Sequence, residues 1–151
     1  MSEHLLGSCL CGAVAFEVQG PIHLLSHCHC SMCRKFSGSA FLTFARASRE
    51  LFAWTKGEHQ IRTYQSSPGA VRCFCNNCGS ALPITRTDLP NVLIPAGTLD
   101  SDPKIRPSFH MFVADAAPWF QVSDGLPRMD SWPPESNIET LKDPRIERGD
   151  A

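Results

Sequence analysis

The sequence has almost no net charge, no long apolar run and little room for long helices. Lysine plus arginine total 14 and aspartate plus glutamate 15 in 151 residues, a formal net charge of -1. Such a balance lacks the basic footprint of a nucleic-acid binder or of a protein drawn to an anionic membrane. The chain opens Met-Ser-Glu-His, without a basic segment leading into an apolar one, and no stretch is long enough to span a bilayer. Neither a secretory signal nor a membrane anchor is expected, and the expected compartment is the cytoplasm. Internal repeats and low-complexity blocks are also missing. What is plentiful is cysteine, with eight residues. Disulfides seldom persist in a reducing compartment, so metal binding is the leading explanation for so many thiols.

The length suits one domain with a modest core. Short alternating or apolar runs at 13–18, 40–45, 60–64, 71–74, 92–95 and 109–113 read as strands. Between them lie turn signals: Gly20-Pro21, Lys56-Gly57-Glu58, Ser66-Ser67-Pro68-Gly69, Asp100-Ser101-Asp102-Pro103 and Asp124-Gly125. Twelve scattered prolines and ten glycines argue against long helices. One helical turn is expected over 31–36, and another short one near Ala47. A body over residues 1–130 would be followed by a Pro-rich, charged tail over 131–151, with Trp132 pinning its start.

The cysteines fall into three groups: Cys9-x-Cys11, Cys28-x-Cys30-x-x-Cys33, and Cys75-x-x-Cys78 with Cys73 just upstream. Zinc takes four ligands in a tetrahedron, and thiols two or three residues apart reach one ion from a single turn. Gly12 and Gly79 each follow a cysteine, where a left-handed turn brings backbone N–H groups toward the sulfurs. The natural partition is a closed structural site of Cys9, Cys11, Cys75 and Cys78. The remaining run would supply three ligands, Cys28, Cys30 and Cys33, and three ligands with an open fourth position is the pattern of a catalytic zinc. Two other readings stand beside this one. The cysteines are free or buried thiols, or Cys73 closes the second site and both zincs are structural. On a strand Cys73 and Cys75 share a face.

These same stretches resemble the glutathione-dependent formaldehyde-activating enzyme family, whose domain also occurs in centromere protein V. The resemblance is carried by Gly7 to Phe16 (GSCLCGAVAF), Cys28 to Lys35 (CHCSMCRK), Arg72 to Ser80 (RCFCNNCGS), Ala96 to Asp100 (AGTLD) and Ala117 to Phe120 (APWF). It implies a mainly β, zinc-binding β-tent fold of small antiparallel sheets with few short helices. It implies two zinc ions, structural on Cys9, Cys11, Cys75 and Cys78 and catalytic on Cys28, Cys30 and Cys33. Cys73 lies outside the family pattern. The function implied is a carbon–sulfur lyase acting on glutathione–aldehyde adducts or a related thiol, with the small thiol as partner. The alternative is a non-catalytic domain with two structural zincs that mediates protein contacts. No basic arm accompanies the domain, which favours the enzyme.

Other polar residues are read more plainly. Arg34 and Lys35 are expected as solvated charges rather than contacts to a substrate carboxylate. His27 and His29 are expected at the surface or behind a ligand, and His110 as a satisfied core histidine. Trp54, Phe109, Trp119 and Phe120 are expected to pack the core or a cleft wall.

Overall fold

In a computed structural model the described residues are 3–85 and 90–133. The elements run β1 (Leu5–Ser8), β2 (Ala15–Val18), β3 (Leu24–Cys28), α1 (Ser31–Ser37), β4 (Leu42–Ser48), β5 (Phe52–Lys56), β6 (Ile61–Ser67), β7 (Ala70–Cys75), β8 (Ala81–Leu82), β9 (Asn91–Pro95) and β10 (His110–Met111). They form three small sheets, ordered β1-β2-β5, β10-β3-β4-β9 and β6-β7-β8. The chain is therefore mainly β, as expected. One detail differs: β10 runs parallel to β3, with His110 opposite His27 and Met111 opposite Cys28. A long connection between them permits this parallel pairing, which no hairpin could make.

Alternation explains the inner faces. Along β2, Phe16 and Val18 point inward while Ala15 and Glu17 are half-exposed. The first two sheets press Leu5, Phe16 and Val18 against Leu25, Ala45, Val92 and Ile94. Each large aliphatic side chain buried in this way contributes about 1.5–3 kcal/mol. A second cluster gathers Cys28, Cys30 and Cys33 with Phe44, Leu93, Met111 and Phe112, and a third holds Cys9, Val14, Cys73, Cys75 and Leu82.

Six of the ten strands among the described residues fall within or beside the expected runs; β1, β3, β5 and β8 do not. The expected helical turn is α1, ended by Gly38 in the left-handed conformation at φ 68°. Ala47 instead belongs to β4, and the short helix begins two residues later as a 3-10 turn over Arg49–Leu51. Trp132 packs its ring on Phe112 with centroids 4.9 Å apart; the remainder of the expected tail lies outside the described residues. Trp54 and Phe109 pack inward as expected, but Trp119 stands in solvent at 71% exposure. Among the described residues no helix is long and apolar enough to cross a membrane.

Candidate functional site

Two cysteine clusters converge. Cys9 and Cys11 lie in the turn between β1 and β2, and Cys75 and Cys78 at the end of β7 and in the turn that follows. Their four Sγ atoms lie within 4.8 Å of one another. Gly12 and Gly79 adopt φ 75° and 77°, as their positions after cysteine predict. Their N–H groups donate to the carbonyls of Cys9 and Cys75 at 3.0 and 2.8 Å, closing each turn under its sulfurs. The Val14 N–H donates to Cys9 Sγ at 3.3 Å. Hydrogen bonds from Asn77 and the Ala13 backbone draw the Cys11 thiol below its ordinary range, and the Ser80 hydroxyl and N–H draw Cys78 down to about 5. These donors favour thiolate, the form a metal takes.

The second cluster is Cys28, Cys30 and Cys33, all three buried and also within 4.8 Å of one another. Cys28 ends β3, and Cys30 caps α1 by accepting the Cys33 N–H at 3.3 Å. One turn of helix thus returns Cys33 to its partners. Hydrogen bonds from Cys28 and Cys33 hold the Cys30 thiol far below its ordinary range, whereas the same contacts and burial push Cys28 up. All eight cysteines are free of disulfides. Three or four converging sulfurs with supporting N–H donors fit a soft or borderline metal such as zinc.

The three-cysteine cluster borders a cleft, and sequence reasoning missed its two cationic walls. Arg46 and Arg72 line it, together with Ser67, Pro68, Met111 and Trp132. Arg72 donates to Ser66 Oγ at 3.2 Å and to Cys33 Sγ at 3.5 Å, and its guanidinium lies 5.7 Å from the Phe36 ring centroid. Arg46 is 3% exposed and Arg72 7%. A charge inside an otherwise apolar strand was the available signal, since such residues are seldom buried without a task. Ser67 and Pro68 make the expected turn a part of the cleft rim as well. Arg34 and Lys35 are not among the lining residues.

Cys73 belongs to neither cluster. Its thiol packs beside Cys75, Val14 and Leu82 and faces a separate pocket with Trp54 and Ile61, where burial pushes it up. Strand alternation accounts for this: Arg72 turns to the cleft, and Cys73 with Cys75 turns to the other face.

Of the two positions expected for His29, at the surface or behind a ligand, burial at 0% exposure excludes the first. The His29 Nε2 lies 2.8 Å from His110 Nδ1, and His110 Nε2 lies 2.9 Å from an Asp124 carboxylate oxygen. His110 is thus buried and satisfied, as expected, but by a polar chain rather than by apolar packing. Burial and the neighbouring His110 hold His27 down at about 4, so its ring is neutral at neutral pH.

Comparison with known proteins agrees with this architecture. Residues 4–115 match the family described as glutathione-dependent formaldehyde-activating enzyme. A Halomonas elongata protein bearing that enzyme name is 32% identical over 127 residues, spanning 78% of this chain and 80% of the relative. An uncharacterized lyase of Schizosaccharomyces pombe is 33% identical over 85 residues, 56% of this chain and 60% of its own length. A Rhodobacter sphaeroides crystal structure superposes with a TM-score of 0.53 at 25% identity, covering 64% of this chain and 89% of the other. With the family match spanning both cysteine clusters in order, the chain belongs to the glutathione-dependent formaldehyde-activating enzyme family.

Proposed function

We propose that the protein is a zinc-dependent carbon–sulfur lyase acting on glutathione–aldehyde adducts or a related thiol, at the cleft over Cys28, Cys30 and Cys33. The observation that carries this reading is the cluster's composition. Three sulfurs meet at a cleft wall, and the fourth ligand that the sequence offered, Cys73, faces another pocket. Cys9, Cys11, Cys75 and Cys78 are proposed to hold a second, structural zinc. When bound to the three-cysteine cluster, zinc would act as a Lewis acid that favours the ionised form of a substrate sulfur as its bond to carbon breaks or forms.

The chain's own residues set the conditions. Arg72 offsets the negative charge of three thiolates through its contact with Cys33. Arg46 and Arg72 give the cleft two cationic walls, suited to a thiol that carries a carboxylate. Met111, Phe112 and Trp132 add apolar lining and limit water around the reacting carbon. A thiol of ordinary pKa near 8.5 is only a few per cent ionised at pH 7. Complete ionisation therefore accounts for roughly thirtyfold at most. Positioning between the two arginines must contribute the larger part.

The test is cobalt substitution followed by addition of glutathione. A change in the visible bands of the three-cysteine site, absent in Cys33→Ser, is the expected result. Bands that stay fixed at every glutathione concentration, with no turnover of S-hydroxymethylglutathione, would rule the catalytic reading out.

A further inference from the structure

The strand that delivers Cys28 to the cleft also has a reverse face. On β3, Cys28 and His27 point to opposite sides of the sheet. Beside His27 on that reverse face stand Thr43 of β4 and His110 of β10, each paired with it in register. The loop carrying Asp124 closes over them. One ring nitrogen of His27, one of His110 and one Asp124 oxygen lie within 4.8 Å of one another.

The hydrogen bonds sort the nitrogens. His27 Nδ1 lies 2.7 Å from Thr43 Oγ1, and His110 Nδ1 lies 2.8 Å from His29 Nε2. Each δ nitrogen is therefore held by a partner inside the protein, which leaves the ε nitrogen of each ring as the atom available to an ion. His110 Nε2 already sits against the Asp124 carboxylate at 2.9 and 3.1 Å. Histidine ligands generally show this division, with one nitrogen on the metal and the other fixed by a hydrogen-bond partner that sets the tautomer.

We propose that His27, His110 and Asp124 form a third metal site, for a borderline divalent transition ion such as zinc, on the face of the sheet opposite the cysteine cleft. Two imidazoles and one carboxylate suit such an ion and not magnesium or calcium, which prefer oxygen-rich shells. Ligands about 2.0–2.2 Å from a tetrahedral ion lie roughly 3.3–3.6 Å apart, so the His110–Asp124 pair at 2.9 Å has to open by about half an ångström while His27, within 4.8 Å of both, closes on them. Entry is direct, because the Asp124 side chain is 47% exposed while His110 beneath it is buried. Thr43 and His29 are positioning residues. An ion here would tie β3, β10 and the Asp124 loop together immediately behind Cys28.

The experiment uses the full chain with its cysteine clusters fully loaded, labelled with 15N-histidine and titrated with zinc. The expected result is one further equivalent bound, with the Nε2 signals of His27 and His110 both moving to metal-bound positions. Asp124→Asn should abolish those shifts, and Thr43→Val should weaken the additional equivalent about 10–100-fold. Cobalt–sulfur bands should be untouched in both variants. His110→Ala risks misfolding, so these two exterior or near-isosteric changes carry the test. Histidine signals that do not move, or an additional equivalent that binds equally well to Asp124→Asn, would overturn the proposal. The histidine signals report on this site alone, so its failure is separate from any failure of the cysteine sites.

Discussion

Arg72 and Cys73 are neighbours in sequence and look into different parts of the molecule. The guanidinium faces the three-cysteine cleft, and the thiol packs among Val14, Cys75 and Leu82. Cys73→Ala should accordingly leave the metal content unchanged in elemental analysis and lose about 1 kcal/mol in denaturant unfolding, the cost of a small buried apolar group. Loss of a metal equivalent would show that Cys73 ligates after all. Arg72→Met keeps much of the packing volume but removes the charge beside Cys33. It should raise the KM for the thiol substrate by about tenfold or more, with the fold retained by circular dichroism, and Arg72→Lys should rescue it only in part, because a point charge cannot reproduce the forked contacts to Ser66 and Cys33. The cysteine grouping was legible because ligands for one ion must cluster along the chain. The arginines were not, because their task depends on which face of β4 and β7 meets the cleft, and that is decided by strands far away in sequence.

At the level of elements, the turns carry as much information as the strands. Gly57 joins β5 to the 3-10 turn before β6 at φ 71°, and a Cβ there would stand 1.9 Å from the Ala13 carbonyl oxygen. Gly12 has a similar φ of 75° but open space around it. Gly57→Ala should therefore cost well over the ~1 kcal/mol expected of Gly12→Ala, where only the left-handed backbone opposes the side chain. Paired urea titrations check the order, and equal losses would mean that the Ala13 contact yields easily. These turns were readable from glycine alone. By contrast, β3 was not readable. Leu24 to Cys28 has buried positions on both faces, with only Leu24 and His27 half-exposed, so no alternation marks it as a strand. β8 has two residues, Ala81 and Leu82, too short for any periodicity. The parallel β3–β10 pairing joins segments about eighty residues apart, beyond the reach of local pattern.

For the whole molecule, the decisive feature is that the four-cysteine cluster joins the β1–β2 turn of one sheet to the β7–β8 turn of another. A zinc held there, as proposed, would contribute on the order of 10–16 kcal/mol of apparent binding energy, against a net domain stability of about 5–15 kcal/mol. Cys9→Ser or Cys75→Ser should therefore unfold the chain or render it insoluble. Cys33→Ser should keep the β spectrum in circular dichroism and lose one metal equivalent. The reverse order of damage would mean that the structural and catalytic assignments are exchanged. The partition into four and three was already readable from spacing, and the geometry brings the same sulfurs together. What spacing did not reveal is the histidine and aspartate grouping, because Asp124 and His27 become neighbours only after three strands have assembled.

The span between Cys11 and Cys75 also bears on how the chain reaches its native state. These two sulfurs are 64 residues apart in sequence and 3.9 Å apart in space. Closing a loop of that size with a cross-link removes about 4 kcal/mol of chain entropy from the unfolded ensemble, by the same relation that applies to a disulfide. The Cys28–Cys33 run lies inside that loop and offers three ligands at almost no closure cost. An emerging or denatured chain will therefore capture metal there first, and an ion shared between that run and Cys9 or Cys11 is the most accessible wrong pairing. Refolding from denaturant should be faster and more complete when zinc is added after the sheets have begun to form than when it is present from the start.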